Sequence, residues 1–173
     1  MKRTKTRAAP ANVRAGARVA VVRARWNDEV TRALERGAIE RATASGATLD
    51  LFEVAGSFEL PAAVAMLADT GRYAAIVPIG CLIRGETAHF DVLAHAVTRG
   101  LMDLALTYPI AITFAVLTVE TVEQAMARAG GAVGNVGAEA MAAALELVAL
   151  RQALASRPAT SRRRARASSR STR

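Results

Sequence analysis

The sequence predicts an α/β fold, a three-layer α/β/α sandwich around a four-stranded parallel sheet, and three observations predict it. Short apolar runs rich in β-branched residues alternate four times with segments whose apolar residues recur at helical spacing. Parallel neighbours need crossover connections, and helices between successive runs supply them with the usual right hand. The 173 residues are enough for one domain with a sizeable core, and the single cysteine, Cys81, leaves no disulfide framework or multi-cysteine metal site.

The first run, ARVAVVR at 17–23, precedes NDEVTRALERGAIERATASG, in which Val30, Ala33, Leu34, Gly37, Ala38 and Ala42 share one helical face. Asn27 or Asp28 is expected to cap this helix and Gly46 to end it. The second run, TLDLFEV at 48–54, leads into LPAAVAMLADTG, with Pro61 tolerated in a first turn. The third, YAAIVPIG at 73–80, leads through GCLIRGETAHF into FDVLAHAVTRGLMDLALTY. The fourth, IAITFAVLT at 110–118, leads into TVEQAMARAG, and a last helix is expected from about Gly137 to Leu154. In such a fold the loops RARWN, AGSFE, GCLIRGETAH and VLTVE emerge along one sheet edge, where open α/β proteins bind ligands.

The formal charge of +8 does not describe a basic face. Lys2, Arg3, Lys5 and Arg7 carry +4 and the arginines from Arg157 to Arg173 carry +7, which leaves the body at −3. The predicted organisation is a basic flexible segment at 1–12, one domain at 13–155, and an Arg/Ser-rich disordered tail at 156–173. Arginine runs of this kind bind polyanions weakly, so the tail predicts at most an accessory contact with one. No uninterrupted apolar run reaches membrane-spanning length and no secretory signal is evident, so a cytoplasmic protein without membrane contact is expected. The helices at 90–106 and 141–150 carry apolar residues around most of their circumference, which predicts a homo-oligomer.

The third loop holds the strongest candidate chemistry. Gly80 and Gly85 permit sharp turns, and GET precedes a helix whose first amides point outward, the physical description of an anion site; Thr87 as a plain helix cap explains the same residues. His89 stands at that helix start, where an imidazole can move protons, whereas His95 reads as an ordinary mid-helix residue. Cys81 reads as a small apolar side chain rather than a nucleophile. Trp26, the only tryptophan, is placed to stack on a planar heterocycle or to cover the core edge. Ser57 and Glu59 in GSFE suit polyhydroxyl or amide groups, and Arg128 suits a phosphate or a helix C-terminus. GGAVGNVG follows a helix and lacks both dinucleotide and P-loop spacing, so it is not read as a nucleotide cradle.

Taken in order, RWN, GSFELP, GCLIRGETAHFD, ITFAVLT and EQAMARAGG followed by GN.G resemble the lumazine synthases of riboflavin biosynthesis over about residues 13–154. The third motif is the most specific, because it joins the anion loop and the histidine at fixed spacing. The resemblance implies a flavodoxin-like fold and a cofactor-independent transferase, 6,7-dimethyl-8-ribityllumazine synthase. Its reaction condenses 5-amino-6-(D-ribitylamino)uracil with 3,4-dihydroxy-2-butanone 4-phosphate through a Schiff base, loss of phosphate and ring closure. By motif, Trp26 takes the place of the aromatic that stacks on the pyrimidine, Ser57, Phe58 and Glu59 hold the ribityl chain and uracil, and the backbone of Cys81, Leu82 and Ile83 reads the pyrimidine. Glu86 and Thr87 match the phosphate-binding turn, His89 the proton-transfer residue, Phe114 a pyrimidine contact, and Arg128 the phosphate-binding arginine. Phe114 and Arg128 are implied to come from the neighbour in a pentameric ring, single or multiplied.

The chain departs from the family pattern in three places. Ala88 replaces a proline before the histidine, Ala132 stands where a lysine is expected after Arg128, and the connection SGATLD is short. The arginine-rich end also lies outside the pattern. The missing lysine motivates an alternative reading, a catalytically weak paralogue that binds lumazine or flavin.

Overall fold

The computed structural model describes residues 17–156. The expectations for residues 1–12 and 157–173 lie outside the described residues, and Ser156 is the last residue of a helix.

The sheet contains β1 (Arg18–Ala24), β2 (Thr48–Val54), β3 (Ala75–Ile83), β4 (Ala111–Ile112) and β5 (Ala115–Val119), with β2, β1 and β3 in that order and both β4 and β5 beside β3. Every pairing in it is parallel. Around it lie α1 (Asp28–Thr43), α2 (Leu60–Asp69), α3 (His89–Thr107), α4 (Val122–Arg128) and α5 (Val136–Ser156). A small antiparallel hairpin, β6 (Ala129–Gly131) with β7 (Gly134–Asn135), joins the last two helices. The α/β class and the mostly parallel, helix-flanked sheet are those expected from the alternation.

The fourth lane differs in one respect. It is interrupted at Thr113 and Phe114, yet the register is the same on both sides, Ile76 facing Ile112 and Ile79 facing Ala115. That register sets Pro78 opposite Phe114. Ile76 accepts a hydrogen bond from Thr113 N–H on this side, so Pro78, two residues on, also faces this lane, and it has no N–H to donate. The ladder fails where the donor is missing, and Phe114 is 40% exposed rather than locked into the sheet.

Alternation along the strands divides the core in two. Val19, Val21, Val77, Ile79 and Cys81 face α1, α4 and α5, with Leu34, Met141 and Leu145 among their buried neighbours. Ala20, Val22, Ile76 and Val116 face α2 and α3, against Leu60, Val64, Val97 and Leu101. The glycine-rich stretch before α5 serves packing. A Cβ on Gly137 would sit 2.0 Å from the Leu34 carbonyl oxygen, so only glycine lets α5 approach α1 this closely. Asn135 pins the same junction, donating to the Ala33 carbonyl at 2.8 Å and accepting from Ala138 N–H at 3.0 Å.

The α1 face also contains a charged cluster. Arg23 of β1 is fully buried and donates to Asp28 at 2.6 Å, to Thr31 at 3.2 Å and to Glu53, while Glu35 lies 3.4 Å from its Nε. Burial pushes the Glu35 carboxyl up, against the pull of Arg23.

On the other side α3, 19 residues long, buries only Val97 and Leu101 and leaves Val92, Met102 and Leu106 exposed. α5 likewise exposes Leu147, Leu150 and Leu154. Among the described residues no helix is long and apolar enough to cross a membrane.

Candidate active site

A cleft of about 400 Å³ opens at the C-terminal edge of the sheet, a volume within the range of small-molecule sites. The loops after β1, β2 and β3 and the first turn of α3 form its walls.

Trp26 lies two residues beyond the end of β1 and is 72% exposed. Its amide donates to the Ala55 carbonyl at 3.2 Å, and Arg25 N–H to Val54 at 3.0 Å, so the β1–β2 pairing carries on to the tryptophan and fixes its backbone. Next to it Asn27 adopts a left-handed conformation, φ 57°. Asn27 occupies the cap position of α1, but its side chain makes no cap there; Nδ2 donates to the Cys81 carbonyl at 2.8 Å. The expected capping role is therefore replaced by a tie between the first and third loops, which draws Trp26 toward β3.

After β2, Ser57–Glu59 forms a single 3-10 turn that runs into α2. Glu59 reaches back to accept from Gly56 N–H at 2.8 Å, which closes the turn. Ser57 is buried against Gly80, where a Cβ would meet Ser57 Oγ at 2.6 Å. Gly80 is thus a packing requirement of the cleft floor, and Phe58, 63% exposed, is left on the rim.

β3 contributes an unpaired edge. Its pairing with β1 ends at Ile79, whereas its pairing with β5 continues to Ile83. Residues 80–83 therefore have one side of their backbone open next to Trp26. Cys81 directs its carbonyl to that side, where Asn27 takes it, and by alternation Ile83 turns the same way. The Cys81 side chain is buried, and desolvation pushes its thiol up to about 11, which removes it as a nucleophile near neutral pH.

His89 is the first residue of α3 and lines the cleft, with Val92 and Leu93 one turn on. No side chain caps this helix at Ala88. Thr87 Oγ1 accepts from His89 N–H at only 3.4 Å, so the amides of the first turn remain largely unoccupied.

Of the residues predicted for the site, Trp26, Ser57, Phe58, Glu59, Cys81, Leu82 and His89 meet in the cleft. Glu86 and Thr87 lie on the exposed turn just outside it, and Ile83 faces the α1 side of the sheet. Phe114 and Arg128 do not reach it in the same chain. Arg128 is half-buried on α4, where Nη1 donates to the Gln124 carbonyl at 3.0 Å, and no carboxylate is within ion-pair distance among the described residues. Gly56, the glycine of GSFE that suits close approach, also lines the cleft, and Ala55, Val92 and Leu93 join it without having been read as site residues; His89 followed by apolar residues three and four positions on was the available signal for the last two. A wider depression of about 990 Å³ between α1, α4 and the β6–β7 hairpin holds none of the predicted site residues.

The family model described as 6,7-dimethyl-8-ribityllumazine synthase matches residues 16–152. Proteins named 6,7-dimethyl-8-ribityllumazine synthase are similar over most of their length. That of Methylorubrum extorquens is 45% identical over 150 residues, which cover 84% of this chain and 87% of the relative. That of Gemmatimonas aurantiaca is 43% identical over 138 residues, with 78% and 84% covered. That of Xanthomonas oryzae pv. oryzae is 40% identical over 141 residues, with 80% and 92% covered.

Proposed function

The chain belongs to the 6,7-dimethyl-8-ribityllumazine synthase family, and on that premise we propose that the cleft beside Trp26 is its pyrimidine pocket. The activity is the condensation of 5-amino-6-(D-ribitylamino)uracil with 3,4-dihydroxy-2-butanone 4-phosphate to 6,7-dimethyl-8-ribityllumazine, a transferase step of riboflavin biosynthesis. One observation carries the placement: an exposed indole stands against an unpaired strand edge, with an imidazole on the same cleft.

In this reading Trp26 stacks on the pyrimidine, and the open backbone of Cys81–Ile83 meets its polar edge. Ser57, Phe58 and Glu59 hold the ribityl chain and uracil. Glu86 and Thr87, beside the uncapped start of α3, take the phosphate together with Arg128. His89 relays protons as the Schiff base forms and phosphate leaves, while positioning of amine against carbonyl supplies most of the acceleration. Phe114 and Arg128 serve the site of an adjacent subunit in a five-membered ring, single or multiplied. The exposure of Phe114, the lack of a carboxylate near Arg128 among the described residues and the uncovered apolar residues of α3 support this.

Incubation of the protein with both substrates should give the lumazine chromophore well above the uncatalysed condensation. His89→Ala should lower kcat by about a hundredfold, the lower end of general acid–base effects. Turnover no faster than background overturns the assignment. Native mass measurement of the assembly tests the ring, and a monomer as the active species would sink it. Ala132, exposed at the hairpin tip where a lysine is expected, leaves phosphate binding to fewer cations, so Ala132→Lys should lower the KM for the butanone phosphate.

The same proposal places the domain at residues 13–155 and the protein in the cytoplasm, which suits a lone buried thiol. It assigns the seven arginines of 157–173 a weak polyanion contact. Deleting that segment should reduce retention on heparin, and unchanged retention refutes the contact.

A further inference from the structure

Residues 85–88, the turn that carries Glu86 and Thr87, assigned above to phosphate, have little holding them from within. All four are exposed, the long Thr87 to His89 contact is their only internal side-chain hydrogen bond among the described residues, and α3 begins without a side-chain cap. A phosphate turn must nevertheless be preorganised to bind well.

The ends of the turn are fastened by Arg84. Its guanidinium donates to both oxygens of Asp91, at 2.9 Å and 2.8 Å, in the bidentate fork that fixes orientation as well as distance. Nε lies 2.8 Å from Oε2 of Glu120, the residue after β5, and the guanidinium carbon lies 4.2 Å from the centre of the Phe90 ring. The backbone N–H of Arg84 donates to the Val119 carbonyl at 2.9 Å. The residue before the turn is thus tied to the residue two places into α3 and to the neighbouring strand, with an aromatic ring under the planar group.

An arginine next to an anion turn reads at first as a ligand for the anion. Two carboxylates face this one guanidinium, so the cluster as a whole is negative and gives a phosphate dianion no net attraction. We propose that Arg84, held by Asp91, Glu120 and Phe90, is a positioning residue that keeps the 85–88 turn in its phosphate-binding shape and does not itself contact phosphate. This deepens, and rests on, the assignment of that turn to phosphate.

The two roles predict opposite signs for the same substitution. Asp91→Asn frees Arg84: a ligand arginine would then bind phosphate better, whereas a clamp would lose its hold. In the assembled enzyme Asp91→Asn should raise the KM for 3,4-dihydroxy-2-butanone 4-phosphate about tenfold, the scale of one charge-assisted hydrogen bond, and change the KM for the pyrimidine less than about twofold. Inorganic phosphate should inhibit the variant correspondingly less. Arg84→Lys, which keeps the charge and loses the fork, should behave like Asp91→Asn, and Asp91→Glu should restore most of the affinity. A lower or unchanged KM for the butanone phosphate in Asp91→Asn overturns the proposal. Should that variant fail to fold, Glu120→Gln, on a different element, should raise the same KM about threefold, and a fall or no change there overturns it equally. Thr87→Ala and Arg128→Ala separate the two levels. If neither alters the KM for the butanone phosphate, the turn is not the phosphate site; if both raise it while Asp91→Asn does not, the clamp alone is wrong.

Discussion

On the α1, α4 and α5 side of the sheet, Leu34, Met141 and Leu145 are shut off from solvent and a charged cluster is packed under α1; on the α2 and α3 side, a 19-residue helix buries only Val97 and Leu101. The first side closes a continuous core within one chain, although the outer face of α5 still exposes Leu147, Leu150 and Leu154. The second ends in exposed apolar residues and in a cleft that lacks two of its predicted contacts. The contrast is one of enclosure: one face buries most of its apolar side chains, and the other carries the cleft and the uncovered residues of α3.

The comparison breaks most readily at Arg23. Arg23→Ala would leave Asp28, Glu35 and Glu53 around an empty space, and should cost ~3–5 kcal/mol in chemical denaturation. A loss below about 1 kcal/mol would show that the closed face does not depend on this cluster. Met141→Ala should cost about 2–5 kcal/mol through cavity formation, while the pyrimidine KM stays unchanged. Its counterpart Met102→Ala, on the exposed part of α3, should cost a single chain less than about 0.5 kcal/mol.

Leu106→Asp addresses the open face directly. Leu106 is 79% exposed, so the fold should tolerate the charge, yet the ring proposed above should not. Native mass should fall and kcat/KM should drop about tenfold or more, because the phosphate loses an arginine supplied by the neighbour. An intact assembly with full activity would place the subunit contact elsewhere.

Two smaller effects concern titration. Arg18 and Tyr73 hold the Asp50 carboxyl below its ordinary range. A lowered folded pKa gives stability that is present above the unfolded value, near pH 4, and is lost as pH falls through the folded one. The stability gap between the parent and Asp50→Asn should therefore be full at neutral pH and close only in acid. Cys81, with its thiol pushed up to about 11, should be alkylated near pH 8 no faster than the protein unfolds. Rapid labelling of the native enzyme would contradict the burial of this position.

The alternation of runs was legible because central parallel strands are apolar on both faces, and the cleft residues of the first three loops because those loops share one edge. What local pattern could not show depends on partners across the sheet. Pro78 sits in an apolar run that reads as an unbroken strand, and its missing donor acts on Phe114, a residue of a different run. Arg84 looks like an anion ligand until Asp91 and Glu120 are seen around it. Asn27 has the spacing of a helix cap, and only the approach of β3 shows that its amide is used on Cys81. Nothing in the periodicity of α4 separated Arg128 from the cleft of its own chain; the family resemblance alone anticipated it.

The separation of His89 from Arg128 has a consequence for inheritance. If each site takes its histidine from one chain and its arginine from the next, a subunit carrying His89→Ala and one carrying Arg128→Ala are each defective alone. Co-assembled at random, they would regenerate intact pairs at about a quarter of their interfaces. Two defective alleles of this enzyme, expressed together, would then support faster growth than either supports by itself.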